Sequence, residues 1–193
     1  IHICSSSEVY GQVYDYETPI KETNSLRPVS PYAVSKVGED MVAYQYYKSY
    51  GLKIIRTRMF THTGPRRGAV FAEGSFAKQI AQIEKGIHPD GILKTGNLDS
   101  VRTFSDVRDA VRAYWLLLEK CKIGEVYNIG GNETMKIGEM LNILIGMSNS
   151  KIKYKTDKKL LRPSDVTLQI PDSDKFRKHT EWKPVSYTHL TLP

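Results

Sequence analysis

Ser30-Pro31-Tyr32-Ala33-Val34-Ser35-Lys36, running on through Tyr50-Gly51 into Lys53-Ile54-Ile55-Arg56-Thr57-Arg58, is the stretch on which the fold turns. Serine is a favoured N-cap, and proline fits the first helical position because its missing N–H has no intrahelical partner there. A helix is therefore predicted from Tyr32 to about Tyr50, closed by Gly51, with a β-strand over Lys53–Arg58. Upstream, Ile1-His2-Ile3-Cys4 reads as the end of a buried strand. Strand, long helix and strand in that order predict a βαβ unit and a parallel sheet.

Downstream the alternation continues. A Gly/Pro/Arg loop over Thr61–Gly68 leads to a helix bearing Phe76, Ile80 and Ile83, and short strands flank Gly96 and Arg102. Val107, Val111, Tyr114, Trp115 and Leu118 recur at helical spacing, which predicts an amphipathic helix with these residues as its core face. Glu125–Ile129 reads as a strand ending at Gly130-Gly131, a helix holds Ile137, Met140, Leu141 and Leu144, and Lys151–Lys155 alternates like an edge strand. The fold class is α/β, a partial Rossmann-like parallel sheet with a smaller α/β domain.

The 193 residues are 40% hydrophobic and 25% charged, which excludes collagen-like, low-complexity and disordered chains. No run approaches the roughly 18 apolar residues of a membrane-spanning helix. Residue 1 is Ile and already lies in a strand, so an upstream portion of the protein is expected; residues 185–193 read as a non-native tail and are set aside. Two distant cysteines, Cys4 and Cys121, give neither a disulfide framework nor a metal-ligand spacing, which fits a cytoplasmic protein. The net charge of +7, heaviest over Lys151–Lys159, has two readings: a solvated basic surface, or attraction to an anionic ligand such as a nucleotide. Nucleic acid rests on that charge alone and is not retained as a partner, nor is a membrane.

Tyr32 and Lys36 stand one helical turn apart, on one face. A free phenol, with a pKa of about 10, is a poor base near neutrality, and an ammonium beside it favours the phenolate. Such a pair can exchange a proton with a substrate hydroxyl. The same spacing recurs at Tyr44/Lys48 and Tyr154/Lys158, so spacing alone is weak; only Tyr32 follows a Ser-Pro helix start downstream of a serine-rich strand end. Ser5-Ser6-Ser7-Glu8 sits where a parallel strand ends, and open α/β sheets bind ligands beyond the carboxyl ends of their strands. A hydroxyl there can bond a substrate oxygen, and the Glu8 carboxylate can remove a proton beside a carbonyl; the alternative is a polar loop with capping serines. Arg67, Arg102 and Arg162 could each hold phosphate, or serve as surface ion-pair residues. His62 follows a strand where a cofactor could be touched, while His88 and His179 read as solvated. No metal site is predicted. No glycine-rich phosphate-binding turn occurs in the 193 residues.

These motifs resemble the extended short-chain dehydrogenase/reductases. Ser6-Ser7-Glu8, Tyr32-x-x-x-Lys36 and His62-Thr63-Gly64-Pro65-Arg66-Arg67-Gly68 carry the superfamily likeness. Gly96–Arg102 and Leu161-Arg162-Pro163-Ser164-Asp165 narrow it to the GDP-sugar branch, the GDP-mannose 4,6-dehydratase family with its sister reductases of GDP-4-keto-6-deoxymannose. The resemblance runs from residue 1 to about Pro184.

It implies an NADP-binding Rossmann domain, of which residues 1–60 and 105–130 form the C-terminal part, and a sugar-nucleotide domain from 61–104 and 131–184. It implies NADP as cofactor, a GDP-sugar as substrate, and a homo-oligomer, dimer or tetramer, of the complete protein. By the family pattern Ser6, Glu8, Tyr32 and Lys36 are catalytic, Lys36, His62 and Arg67 contact the cofactor, and Arg102, Arg162 and Asp165 hold the nucleotide sugar. The implied reaction oxidises C4, eliminates water across C5 and C6 with Glu8 as base, and reduces C6. The sister reductase, another sugar-nucleotide epimerase or dehydratase, and a non-catalytic nucleotide sensor are the alternatives. Two positions depart from the pattern: Thr61 replaces a usual Asn, and Ser7 stands where dehydratases of dTDP-glucose carry an Asp acid.

Overall fold

The computed structural model describes residues 1–162 and 164–185. In chain order the elements begin β1 (His2–Ser6), α1 (Pro31–Tyr50), β2 (Ile55–Met59), β3 (His62–Thr63), α2 (Ala72–Glu84), β4 (Ile92–Thr95) and β5 (Val101–Asp106). They continue with α3 (Val107–Lys120), β6 (Val126–Ile129), β7 (Glu133–Lys136), α4 (Ile137–Gly146), β8 (Lys153–Thr156), β9 (Leu168–Gln169) and α5 (Asp174–Thr180).

β1, β2 and β6 form a parallel sheet in that order, with Ser6 opposite Met59 and Met59 opposite Ile129 at its carboxyl edge. The βαβ unit read from the sequence is this sheet's first half. Its helix starts as predicted: the Ser30 hydroxyl accepts from the Ala33 N–H at 3.1 Å, Pro31 opens the first turn, and Gly51 closes the helix with a left-handed backbone, φ +66°. A second sheet has β5 at its centre, parallel to β3 and β9 and antiparallel to β7, while β4 and β8 pair in parallel apart from it. The basic stretch is exposed on and around β8.

Separate cores support the sheets. Under the parallel sheet lie Ile55, Met59, Ala110, Ala113, Leu117, Tyr127 and Ile129. A second core joins Phe76, Ile80 and Ile83 of α2 to Leu93, Phe104 and the Ile137, Met140, Leu141 and Leu144 stripe of α4, and a third gathers Val9, Tyr10, Val13, Ile20 and Phe60. Helix α5, which the sequence reading assigns to the sugar-nucleotide domain, packs instead on the parallel-sheet core. Phe176 and Trp182 meet edge to face at 5.6 Å there, and Phe176 meets Tyr127 at 6.2 Å.

Helix α3 corrects one expectation. Three of its five predicted core residues are on the outside: Val111, Trp115 and Leu118 are 63%, 66% and 55% exposed, while Tyr114 packs against the core as expected. The helix meets the sheet through Ala110 and Ala113, small residues that let the backbones approach closely, and through the fully buried Leu117. The apolar period was real, but the larger side chains belong to the neighbouring stripe. His179 is also not free in solvent; its Nδ1 lies 2.8 Å from the Tyr127 hydroxyl.

A buried ion network ties α1 to the sheet. The fully buried Asp40 carboxylate accepts from Arg56 Nη1 at 2.8 Å and Arg58 Nε at 2.7 Å. Arg58 also donates to the Tyr10 hydroxyl, which donates to Asn128 Oδ1 at 2.7 Å. Burial pushes the Tyr10 phenol up to about 12, so it stays a neutral donor. The tail residues 186–193 lie outside the described residues.

Candidate active site

A cleft of about 680 Å³ opens at the carboxyl ends of β1 and β2, facing β5 and the segment before β9. β1 delivers Ser6 to its rim, and a single turn of 3-10 helix, Ser7–Tyr10, follows. The Ser6 hydroxyl accepts from the Glu8 N–H at 3.2 Å, capping that turn and fixing the start of Glu8. The turn ends at Gly11, φ +59°, where a Cβ would fall 1.7 Å from the Arg27 carbonyl oxygen. Only glycine permits that passage.

Tyr32 lines the same cleft from the first turn of α1 and is half exposed. Lys36, one turn on, points beneath it: Nζ donates to the Cys4 carbonyl at 2.8 Å and to Glu39 Oε2 at 2.7 Å. Burial draws the ammonium's pKa down, but Glu39, with Tyr32 and Cys4, outweighs it and leaves the value above its ordinary one. Lys36 is thus a firm cation, coupled electrostatically to Tyr32, although it does not itself line the cleft.

The next loop brings His62 and Arg67 to the opposite wall. Arg67 lies over the Phe71 ring at 3.5 Å and donates through Nε to the buried Glu73 at 3.0 Å. Arg66 beside it has φ +69°, uncommon for a residue with a side chain, so this loop holds its shape at a conformational cost.

Arg102, Arg162 and Asp165 also line the cleft. Arg102 Nη2 donates to the Val166 carbonyl at 2.6 Å, locking β5 to the segment that bears Asp165. Burial lowers the Arg102 pKa, Glu8 and Asp165 act against that, and Arg162 adds to it. Asp165 Oδ2 accepts from Asn97 Nδ2 at 2.9 Å and from the Ser100 hydroxyl at 3.1 Å. Ser6, Glu8, Tyr32, His62, Arg67, Arg102, Arg162 and Asp165 therefore share one cleft, although up to 159 residues of chain separate them. Sequence reading missed Glu39, Asn97, Ser100, Glu73 and Gln169. The last had a signal: a lone amide between the apolar Leu168 and Ile170.

Among the described residues no group of three His, Cys, Asp or Glu could hold a metal, and no helix is long and apolar enough to cross a membrane. The arrangement can move protons with Tyr32 and Glu8, and hold anions with Arg67, Arg102 and Arg162.

Comparison with known proteins places this geometry. The sequence model of the GDP-mannose 4,6 dehydratase family matches residues 1–190. The chain belongs to the GDP-mannose 4,6-dehydratase family, within the extended short-chain dehydrogenase/reductases. This family member is 32% identical over 180 residues to the GDP-6-deoxy-D-mannose reductase of Pseudomonas aeruginosa, covering 93% of the chain and 59% of the relative. It is 31% identical over 198 residues to the GDP-mannose 4,6 dehydratase of Dictyostelium discoideum, covering 93% and 54%. The solved structure of RMD from Pseudomonas aeruginosa, complexed with NADPH, superposes with a TM-score of 0.90 at 30% identity, over 99% of this chain and 63% of that one. The chain thus spans between half and two thirds of the length of these relatives.

Proposed function

We propose that this chain carries the proton-transfer and sugar-nucleotide part of a GDP-mannose 4,6-dehydratase. The observation that carries the reading is Glu8, whose backbone N–H is capped by the Ser6 hydroxyl and which lines one cleft with Ser6 and Tyr32. A dehydratase needs a phenol to take the C4 hydroxyl proton and a second base for C5, roles that Tyr32 and Glu8 can fill; Glu8 is compatible with the sister reductase as well.

A nicotinamide cofactor, NADP in this reading, supplies hydride acceptance and return when bound. The residues present suit such a group: Tyr32 and His62 line the cleft, the Lys36 cation lies under the Tyr32 turn, and Arg67 stands where a phosphate could be met. The NADPH of the Pseudomonas aeruginosa structure supports that choice. In the reaction Tyr32 takes the proton of the sugar C4 hydroxyl, and Ser6 bonds the C4 oxygen. The C4 ketone acidifies the neighbouring C–H; Glu8 removes the C5 proton and passes it to the departing C6 hydroxyl, which leaves as water, and after hydride return to C6 a solvent proton adds to C5 by way of Glu8. Arg102 and Arg162 meet the diphosphate, and Asp165, already fixed by Asn97 and Ser100, presents its second oxygen to the base or ribose. Residues 1–60 with 105–130 belong to the cofactor half in this reading. Two free thiols support a cytoplasmic setting.

The second reading is reduction of the GDP-4-keto-6-deoxy sugar, favoured by the likeness to the Pseudomonas aeruginosa reductase. The complete protein supplied with GDP-mannose separates the two. A 4-keto-6-deoxy product without net NADPH use supports the dehydratase; NADPH consumption with the keto sugar alone, and none of that product from GDP-mannose, supports the reductase.

A further inference from the structure

We propose that Gln169 is a positioning residue for the Glu8 carboxylate, holding one of its oxygens so that the other meets the substrate. This rests on the reading of Glu8 as the base above. Gln169 Nε2 donates to Glu8 Oε1 at 2.9 Å, and Gln169 Oε1 accepts from the Ser7 hydroxyl at 3.1 Å. The two bonds act in one direction. The buried Ser7 hydroxyl needs an acceptor, and once it takes the amide oxygen only the NH₂ is left to face the carboxylate. No described residue hydrogen-bonds Glu8 Oε2. One oxygen is therefore held and the other remains open to a proton.

The amide is itself immobile. Gln169 is 3% exposed and pairs in register with Arg102 across β9 and β5. Its strand is fixed on the other side too: Gln12 Nε2 donates to Thr167 Oγ1 at 2.9 Å, and Ile20 donates to the Ile170 carbonyl at 2.7 Å. A strand lying 161 residues from Glu8 in sequence thereby sets the angle of a flexible, partly exposed glutamate. Without the amide, the three side-chain torsions of Glu8 are left to the cleft. The Arg102 guanidinium of β5, which also interacts with Asp165, Arg162 and Glu73, acts electrostatically on Glu8. Holding the base to within a fraction of an ångström is worth large factors in rate.

Two variants of the complete protein test this. Gln169→Met keeps length and removes both bonds. Gln169→Glu keeps an acceptor for Ser7 but sets a second carboxylate against Glu8. We expect Gln169→Met to lower kcat roughly 10- to 100-fold with KM for GDP-mannose within about twofold. In Gln169→Glu, carboxyl-carbon NMR in the absence of substrate shows titration of the pair raised by about one unit or more, and the acid limb of the kcat–pH profile moves with it. An unchanged Glu8 titration in Gln169→Glu, or an unchanged kcat in Gln169→Met, overturns the assignment. A wild-type protein that does not dehydrate GDP-mannose overturns the functional reading instead, and the NMR titration still decides whether Gln169 holds Glu8.

Discussion

In the proposed reaction Tyr32 and Glu8 divide the proton work between them, so their substitutions should fail differently. Tyr32→Phe removes the group that takes the C4 hydroxyl proton and is expected to lower kcat by roughly 100- to 10,000-fold, with every later step starved. Glu8→Gln keeps shape and hydrogen bonding but cannot accept a proton; C4 oxidation continues while exchange of the C5 proton with deuterated solvent falls at least about 100-fold. Mass spectrometry of recovered substrate and product reads both. Loss of C5 exchange in neither variant would remove Glu8 from the chemistry. Most of these residues were legible because the residue types and their local settings carry the chemistry: a phenol one turn from an ammonium, serines and a carboxylate at a strand end. Gln169 and the Asn97–Ser100–Asp165 cluster were less so, since they act through partners 65 or more residues away. The inward turn of Lys36 toward Cys4 and Glu39 was also hidden, because spacing fixes a face of a helix but not where a four-carbon chain ends.

At the level of elements, α1 holds Tyr32 by a cap at one end and a buried ion cluster in the middle. Asp40→Ala would strand two buried guanidinium groups and should cost about 3–5 kcal/mol, read as a lower urea midpoint; an unchanged midpoint contradicts the network's role. Helix α3 starts at Asp106, which accepts from the Arg108 N–H at 2.7 Å. Asp106→Ala should cost about 1 kcal/mol at neutral pH. Hydrogen bonding from the Arg108 guanidinium holds the Asp106 carboxyl below its ordinary value. Its stabilising effect is therefore complete above the ordinary carboxylate range and disappears as the pH falls through the lowered native value. The gap between wild type and variant should close on acidification, measured by denaturant midpoints at several pH values. The existence of α1 to α4 was readable from caps and period, but the seven-residue α5 and the buried side of α3 were not. Periodicity finds a stripe, and closeness of approach to the sheet decides whether alanines or large side chains occupy it.

Across the whole molecule, the parallel sheet and its α/β setting followed from strand–helix alternation, whereas the second sheet did not. β3, β7 and β9 are short, and β9 is recruited by its pairing with β5 rather than by its own residues. The exposed stripe on α3 has an optical consequence. Trp115 is open to solvent and Trp182 is 2% exposed, so Trp115→Phe should remove most of the iodide-quenchable emission of the 193-residue chain. Quenching that survives this substitution would mean that Trp182, and with it the docking of α5, is open. The cleft is where the central claim lies, that one site oxidises, dehydrates and reduces the same sugar. GDP-mannose carrying deuterium at C4 tests it most directly when given to the complete protein. The account predicts a 4-keto-6-deoxy product with that deuterium at C6 and no net NADPH consumed; a product without deuterium at C6, or turnover only when NADPH and the keto sugar are supplied, would contradict it.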